Sequence, residues 1–385
     1  MKVLQVCTGY PPDRMGGIEN VVKSLTEELI GNGTDVRVLT RFWRKRVDLP
    51  YVTQIRTGRG EASGYALWAL RSKLEINKIH PDIVHCHGLE GALVSSMLRL
   101  TSIKTVFHLH NSLSREAGFY STLAHRVGSR ILKEGCISAS SVICPTQAVK
   151  SDLIRNIPSL EADKVAVIPN MTEEFEPWPR DQLDSLKSSL GVAGKKIILY
   201  FGKVKRSKGI EDLCRAYELL GDKNHSALII GGAPTWTENF FNQLKREFPD
   251  AILTGFVEDP IPYYQMADVF CIYTDSFEGG ETFAISLANA MSFGVPAVCS
   301  DNPIYREVTQ NNAFFVEPKN PAKLAEQIRR VLEDPGTAAR LAARARNTAF
   351  ERYSTKAVIA KIERLYHRTL QGVRSEDFEG ASSLV

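Results

Sequence analysis

Short apolar runs alternate with longer amphipathic segments along almost the whole chain. KVLQVC (2–7), DVRVLT (35–40), DIVHCH (82–87), KTVFHLH (104–110), SVICP (141–145) and KVAVIP (164–169) are short and mostly rich in β-branched residues, which predicts strands. Helically spaced segments separate them. One, IENVVKSLTEELIGNG (18–33), closes on glycines as a helix C-terminus does. The pattern pauses at NMTEEFEPWPRDQLDS (170–185), where Pro177 and Pro179 interrupt any period, and this stretch reads as a linker. It then resumes with IILYFG (197–202), SALIIGG (226–232), DAILTGF (250–256), VFCIYT (269–274) and PAVCS (296–300).

Strand–helix alternation of this kind predicts parallel sheets with helices on both faces. The expected fold is α/β, with two doubly wound Rossmann-like domains facing across a cleft. The first spans 1–174 and the second 175–354. The amphipathic segment 355–371 is expected to pack back on the first domain, and 372–385 to form a flexible tail. In such sheets ligands bind at the carboxyl ends of the strands.

Size and composition narrow the picture. A chain of 385 residues accommodates two domains of about 150–200 residues each. With 43% hydrophobic and 24% charged residues it reads as a soluble globular protein. No apolar run reaches the roughly 18 residues a membrane span needs. The N-terminal strand meets Pro11 and Pro12 too soon to be a signal peptide. Seven scattered cysteines form no CxxC pair, which points to a reducing compartment. The expected location is cytoplasmic.

Charge is uneven. Residues 1–175 hold 22 Lys+Arg against 17 Asp+Glu, and the remainder 26 against 27. Arg41, Arg44, Lys45 and Arg46 surround Phe42 and Trp43, a mixture that suits either an anionic membrane surface or a solvated loop. Arg115, Arg126, Arg130 and Lys133 add to the basic character of 113–135. The first reading would place a cytoplasmic protein peripherally at the inner membrane face and the second would leave it free of the membrane; no nucleic-acid partner is expected.

Three stretches carry candidate chemistry. After the first strand, Gly16 and Gly17 precede a helix; they fit either a tight turn or an anion cradle at a helix N-terminus. Lys203, Lys205, Arg206 and Lys208 follow the strand at 197–202, where cations suit a diphosphate, although exposed lysines are also simply solvated. Neither GxGxxG nor GxxxxGK[ST] is present. In ETFAISLANAM (281–291), Ala284, Leu287, Ala288 and Met291 form one apolar helical stripe. Glu281, Ile285 and Asn289 form the next, which would place Glu281 and Asn289 roughly 12 Å apart on one face. That span suits the sugar and the ribose of a nucleotide-sugar. Glu281 also fits as a first-turn acid, and Asn289 as a surface amide. His85 fits a packed strand position, His87 could line the acceptor side, and His108 and His110 should point the same way from their strand.

Taken in order, PPDRMGGIENVV, DIVHCHG, FHLHNS, PTQAVKSDLI, VAVIPN, FGKVKRSKGIEDL, GFVEDPIPYYQMADVF, the ETFAISLANAM region and FGVPAVCSD resemble the GT-B fold, retaining glycosyltransferases of family 4. The resemblance covers roughly residues 1–370. It implies that Gly16 and Gly17 face the donor diphosphate and the acceptor. His110 would lie near the donor sugar, and Lys203 and Lys208 would neutralise the diphosphate. Glu281 would hold the donor sugar and Asn289 the ribose. The backbone of Thr282 and Phe283 would face sugar and phosphate, and Phe256 and Val257 would cradle the base.

The chain departs from the family pattern at several positions. Lys203 stands where Arg is usual and Asn289 where a second acid is usual. Ala284 and Met171 stand where glycines are usual. The implied activity is retaining transfer of a sugar from an NDP-sugar, UDP favoured over GDP, to a hydroxyl acceptor such as a lipid-linked one or a growing glycan. No cofactor is implied beyond that donor. No acid pair is placed to hold a metal, so metal independence is expected. Two alternatives stay open: an NDP-sugar epimerase of the same fold, and a non-catalytic two-domain sugar-binding protein. A nicotinamide-dependent dehydrogenase would need GxGxxG.

Overall fold

The computed structural model describes the chain except residues 15, 58–60, 111–121, 173–175, 233–237, 275–280 and 374–385. The tail assigned to 372–385 falls almost wholly outside the described residues. The chain divides into two compact units. One comprises residues 1–170 with 355–385, the other 171–354.

The first unit is built on seven parallel strands: β1 (Lys2–Cys7), β2 (Asp35–Arg41), β3 (Val52–Ile55), β4 (Ile83–His87), β5 (Lys104–His108), β6 (Ser141–Cys144) and β7 (Val165–Val167), in the order β3-β2-β1-β4-β5-β6-β7. The second has six: β8 (Lys196–Phe201), β9 (Ser226–Gly231), β10 (Ile252–Gly255), β11 (Val269–Ile272), β12 (Ala297–Ser300) and β13 (Phe314–Val316), in the order β10-β9-β8-β11-β12-β13. Each order reverses once, beside β1 and β4 in the first unit and beside β8 and β11 in the second. Both units are therefore doubly wound Rossmann-like sheets, and each has its ligand crevice expected at that reversal.

The central strands read easily because helices cover both faces. β4 and β11 are buried at every residue, and such strands become nearly continuous apolar runs. β3 and β13 escape the pattern. β3 is a partly exposed edge strand of four residues, and β13 has only three.

The stretch 170–185 is not one linker. A helix, Arg180–Ser189, begins inside it directly after Pro179, where a fixed φ favours a helix start. Trp178 is pinned to the second unit: its indole Nε1 donates to Asp259 Oδ2 at 2.8 Å and its backbone N–H to Gln265 Oε1 at 2.8 Å.

The terminal helix, Thr355–Gln371, is part of the first unit. Its Thr369 Oγ1 lies 2.8 Å from Ser141 Oγ, and Tyr366 is fully buried. All seven cysteines are buried and free. Among the described residues no helix is long and apolar enough to cross a membrane.

Candidate functional site

In the second unit the chain leaves β8 through Gly202 and Lys203, makes a 3-10 turn over Arg206–Lys208, and enters helix Ile210–Leu220 at Gly209. Gly209 is left-handed, with φ +58°, and a Cβ there would strike the Tyr273 carbonyl oxygen. The glycine thus lets the turn close against the end of β11. That closure carries Lys208 inward. Its side chain is 9% exposed and forms a direct ion pair with the Glu281 carboxylate, itself 16% exposed. Lys203 is exposed, and its carbonyl accepts from the Tyr200 hydroxyl at 2.9 Å. Arg206 is turned to other work. Its Nη1 donates to both Glu211 carboxylate oxygens, at 2.9 and 3.0 Å, and its guanidinium lies 4.7 Å from the Phe240 ring centroid.

Glu281 is not on a helix. The helix starts at Ile285 and ends at Ser292, so the expected face shared by Glu281, Ile285 and Asn289 does not form, nor does the span derived from it. The cause is Ala284, at φ +56° and ψ +67°, which turns the chain before the helix begins. Thr282 and Phe283 consequently precede the helix rather than open it. Thr282 is buried, and the Phe283 ring packs edge-on against Tyr353 with centroids 5.0 Å apart. Leu287, Ala288 and Met291 are buried as the apolar stripe requires. Asn289 is buried rather than on the surface, and its Oδ1 has no hydrogen-bond partner among the described residues. Phe256, 67% exposed, and half-buried Val257 follow the end of β10.

A left-handed alanine costs roughly 1–2 kcal/mol that glycine does not incur. Ala284→Gly should therefore stabilise the second unit by about 1 kcal/mol after the added unfolded-state entropy. A urea unfolding series checks this, and a lower midpoint would contradict the strain assignment.

In the first unit Gly16 is an extended N-cap and Gly17 the first residue of helix Gly17–Gly31. Beyond its chain neighbours and its own helix backbone, no atom of the described residues lies within 4 Å of where a Cβ on Gly17 would sit, so packing alone does not require glycine there. At the reversal point Thr8 donates to Glu90, an acid buried in the first turn of helix Gly88–Leu98; burial pushes its carboxyl pKa up.

Asp13 organises the neighbouring loop. It accepts from the backbone N–H groups of Trp43, Arg44 and Lys45 at 2.8, 2.6 and 2.6 Å. Arg41 is buried against the Trp43 and Tyr65 rings, so the exposed cations of the expected patch are Arg44, Lys45 and Arg46 without it. In the other basic segment Arg130 is exposed and Lys133 half-buried; Arg115 and the Arg126 side chain lie outside the described residues. A cavity of about 580 Å³ along the β3 edge, lined by Phe42, Arg46, Leu49 and Arg56 among others, contains none of the candidate donor-site residues.

Four histidines line up beside the carboxyl ends of β4 and β5. His85, His87, His108 and His110 are all at most 8% exposed. The His85 and His87 rings lie tilted at 35° with centroids 4.2 Å apart, and His108 and His110 stack at the same separation. His110 lies two residues beyond the strand, with its Nε2 2.9 Å from His87 Nδ1. Burial drives all four pKa values down, that of His110 to about 3, so the rings are neutral near pH 7. Ring nitrogens of His85, His87 and His108 come within 4.8 Å of one another, close enough to consider as metal ligands.

Two family models match the chain. Residues 15–173 match Glycosyltransferase Family 4, and residues 182–348 match Glycosyl transferases group 1. Between them they cover all but the two ends and a short joining segment.

The chain belongs to glycosyltransferase family 4.

Relatives of this glycosyltransferase include the uncharacterized glycosyltransferase MJ1607 of Methanocaldococcus jannaschii, 29% identical over 92% of this chain and 95% of that protein. O-antigen chain mannosyltransferase B of Escherichia coli is 25% identical over 76% of each chain. Among solved structures, Anabaena Alr3699/HepE in complex with UDP and glucose shares the fold at a TM-score of 0.76, with 20% identity over 94% of this chain and 98% of that one. The glycosyltransferase thus has the GT-B fold. Three of its residues escaped the sequence reading: Glu90, Gln5 and Tyr366. The only sequence signal for Glu90 is an acid three residues after His87. Gln5 lies in an apolar strand, and Tyr366 is 361 residues away from it.

Proposed function

We propose that this glycosyltransferase moves a sugar, with retention and without a metal, from a UDP-sugar to a hydroxyl acceptor. The observation that carries the reading is the Lys208–Glu281 ion pair at the β8/β11 reversal point. Removing one member of a buried pair strands a charge. A nucleotide-sugar can part the pair without doing so. Its diphosphate takes Lys208, and its sugar hydroxyls donate to Glu281. The leaving nucleoside diphosphate gains charge in the transition state, where Lys208 and Lys203 act as fixed cations.

Asn289 Oδ1, a buried acceptor with no partner among the described residues, suits a ribose hydroxyl. Exposed Phe256 and neighbouring Val257 suit the base. On the first unit the roles proposed are close anion approach for Gly16 and Gly17, a hydrogen bond to the donor sugar for His110, and a place on the acceptor side for His87. UDP is preferred because HepE was solved with it.

The test is a thermal-unfolding screen against UDP, GDP and ADP with their sugar conjugates, with magnesium and with EDTA. Saturation at 100 Kd should add roughly 2.7 kcal/mol to stability. The expected shift comes with UDP, is unchanged by EDTA, and falls in Phe256→Ala. No shift with any nucleotide would sink the donor site. Product analysis without an acceptor separates transfer from epimerisation.

A membrane-borne acceptor is favoured by helix Glu61–Ile79. Leu67, Leu70 and Leu74 are 38, 58 and 57% exposed on one helical stripe, with Arg71 and Lys73 exposed among them. The protein should sediment with vesicles containing phosphatidylserine, and a Leu70→Ser, Leu74→Ser variant should stay in the supernatant. Equal recovery of both in the supernatant would remove the membrane reading.

A further inference from the structure

The histidines of β4 are joined to a glutamine and a tyrosine by a hydrogen-bonded chain. β4 lies between β1 and β5. Gln5 pairs with His85 across β1 and β4, and His87 with His108 across β4 and β5, so side-chain alternation puts all four on one face of the sheet. From β1, Gln5 Oε1 lies 2.7 Å from His87 Nε2. From the terminal helix, the Tyr366 hydroxyl lies 2.7 Å from His85 Nδ1, and Gln5 Nε2 donates to the same oxygen at 3.4 Å. Gln5, His85, His87 and Tyr366 are completely buried, and His108 is nearly so.

Each neutral imidazole has one N–H and one lone pair. The Gln5 carbonyl can only accept, so His87 carries its proton on Nε2 and keeps its lone pair on Nδ1, 2.9 Å from His110 Nε2. The Tyr366 oxygen has two lone pairs, one for the Gln5 amide and one for a proton on His85 Nδ1, which leaves the His85 lone pair on Nε2. His85 Nε2 has no hydrogen-bond partner among the described residues, and neither has either nitrogen of His108. Buried polar atoms with nothing to bond are costly, and an ion is one of the partners that can satisfy them. Metal-ligating histidines use one nitrogen for the ion and the other for a group that fixes the ring. Burial holds all three rings in the neutral form that metals bind.

One ring nitrogen from each of His85, His87 and His108 lies within 4.8 Å of the others. Two imidazoles on a tetrahedral ion, each at about 2.0–2.1 Å from it, stand roughly 3.4 Å apart. The set therefore needs to draw in by about 1 Å, which is within the reach of ring rotation. An all-nitrogen set suits Zn²⁺, Co²⁺, Ni²⁺ and Cu²⁺ rather than Mg²⁺ or Ca²⁺, which take oxygen ligands.

We propose that His85, His87 and His108 form a three-nitrogen site for a divalent transition-metal ion such as Zn²⁺, with Gln5 and Tyr366 as positioning residues that fix the two β4 rings. The ion takes His85 Nε2, His87 Nδ1 and one nitrogen of His108, and replaces the His110 N–H at His87. It ties β4 to β5 and, through Tyr366, to the terminal helix. The site is independent of the transferase reading, whose Lys208 and Glu281 belong to the second unit, and the donor diphosphate still needs no metal.

The experiment is metal analysis of the full chain, without an affinity tag, produced in medium supplemented with Zn²⁺ or Co²⁺, because buried ligands load as the chain folds. The expected result is one ion per chain that survives dialysis. Zinc-edge X-ray absorption of the wild type should fit three imidazole nitrogens at about 2.0 Å. His108→Asn should lose the ion, and Tyr366→Phe should hold it roughly 10–100-fold more weakly, as expected when the group behind a ligand is removed. Thermal unfolding confirms that each variant folds, and the wild-type absorption spectrum decides the ligands if one does not. Wild-type protein that retains no ion, an ion retained equally by folded His108→Asn, or a spectrum that fits without imidazole would overturn the proposal. Failure of every nucleotide to shift unfolding would sink the donor site alone and leave the metal result standing.

Discussion

Replacing Lys208 by methionine should slow transfer by roughly 10²–10³-fold, the loss typical of removing one preorganised donor from a developing negative charge. The same change should destabilise the second unit by about 3 kcal/mol, the low end for breaking a buried pair, because the Glu281 carboxylate, only 16% exposed, is left without its cation. Methionine keeps the length and apolar stem of the lysine, so the cost is chiefly electrostatic. The two effects have different cures. Adding Glu281→Gln to Lys208→Met removes the stranded charge and should return most of the lost stability, as replacement of a whole buried pair commonly does. It should return none of the activity, since the diphosphate still lacks the Lys208 cation and the sugar has lost its carboxylate. Urea unfolding and a radiolabelled transfer assay on the four members of the cycle read both quantities. If the double variant stayed as unstable as Lys208→Met, the ion pair would not be the source of the loss. If Lys208→Met transferred sugar at the wild-type rate, the phosphate role of Lys208 would be wrong.

This pairing shows what the sequence could reveal and what it could not. Lys208 and Glu281 were each legible as candidates, one as a cation after a strand, the other as an acid before an apolar stripe. Nothing local links them, because 73 residues separate them and only the parallel pairing of β8 with β11 brings their loops together. The helix after Glu281 was legible in part. Leu287, Ala288 and Met291 follow helical spacing because they pack inward. Ala284 also matches the stripe and is buried, yet it is not helical. Periodicity reports burial, and burial does not fix φ. The same limit hid the histidine chain. His85, His87, His108 and His110 announce themselves by alternation on two strands, whereas Gln5 and Tyr366 acquire their meaning only from the neighbours that the fold supplies.

Gly209→Ala is expected to be a costly methyl addition in the second unit. The residue closes the turn that carries Lys208 and opens helix Ile210–Leu220. Its φ of +58° costs an alanine roughly 1–2 kcal/mol. The new Cβ would also collide with the Tyr273 carbonyl oxygen, a backbone atom that cannot swing aside. Overpacking of that kind adds about 1–3 kcal/mol. The opposite end of the same helix provides the comparison. Gly221 is its C-cap at φ +69°, and a Cβ there would meet nothing within 4 Å. Gly221→Ala should therefore carry the backbone cost alone. The difference in unfolding free energy between the two variants isolates the collision, and equal losses would show that the turn yields without strain. Function should divide the same way. Relief of the collision must push residues 206–209 away from β11, which carries Lys208 away from Glu281. UDP should then stabilise Gly209→Ala far less than the wild type, and stabilise Gly221→Ala by the full wild-type amount, because nothing in the Lys208 turn has moved.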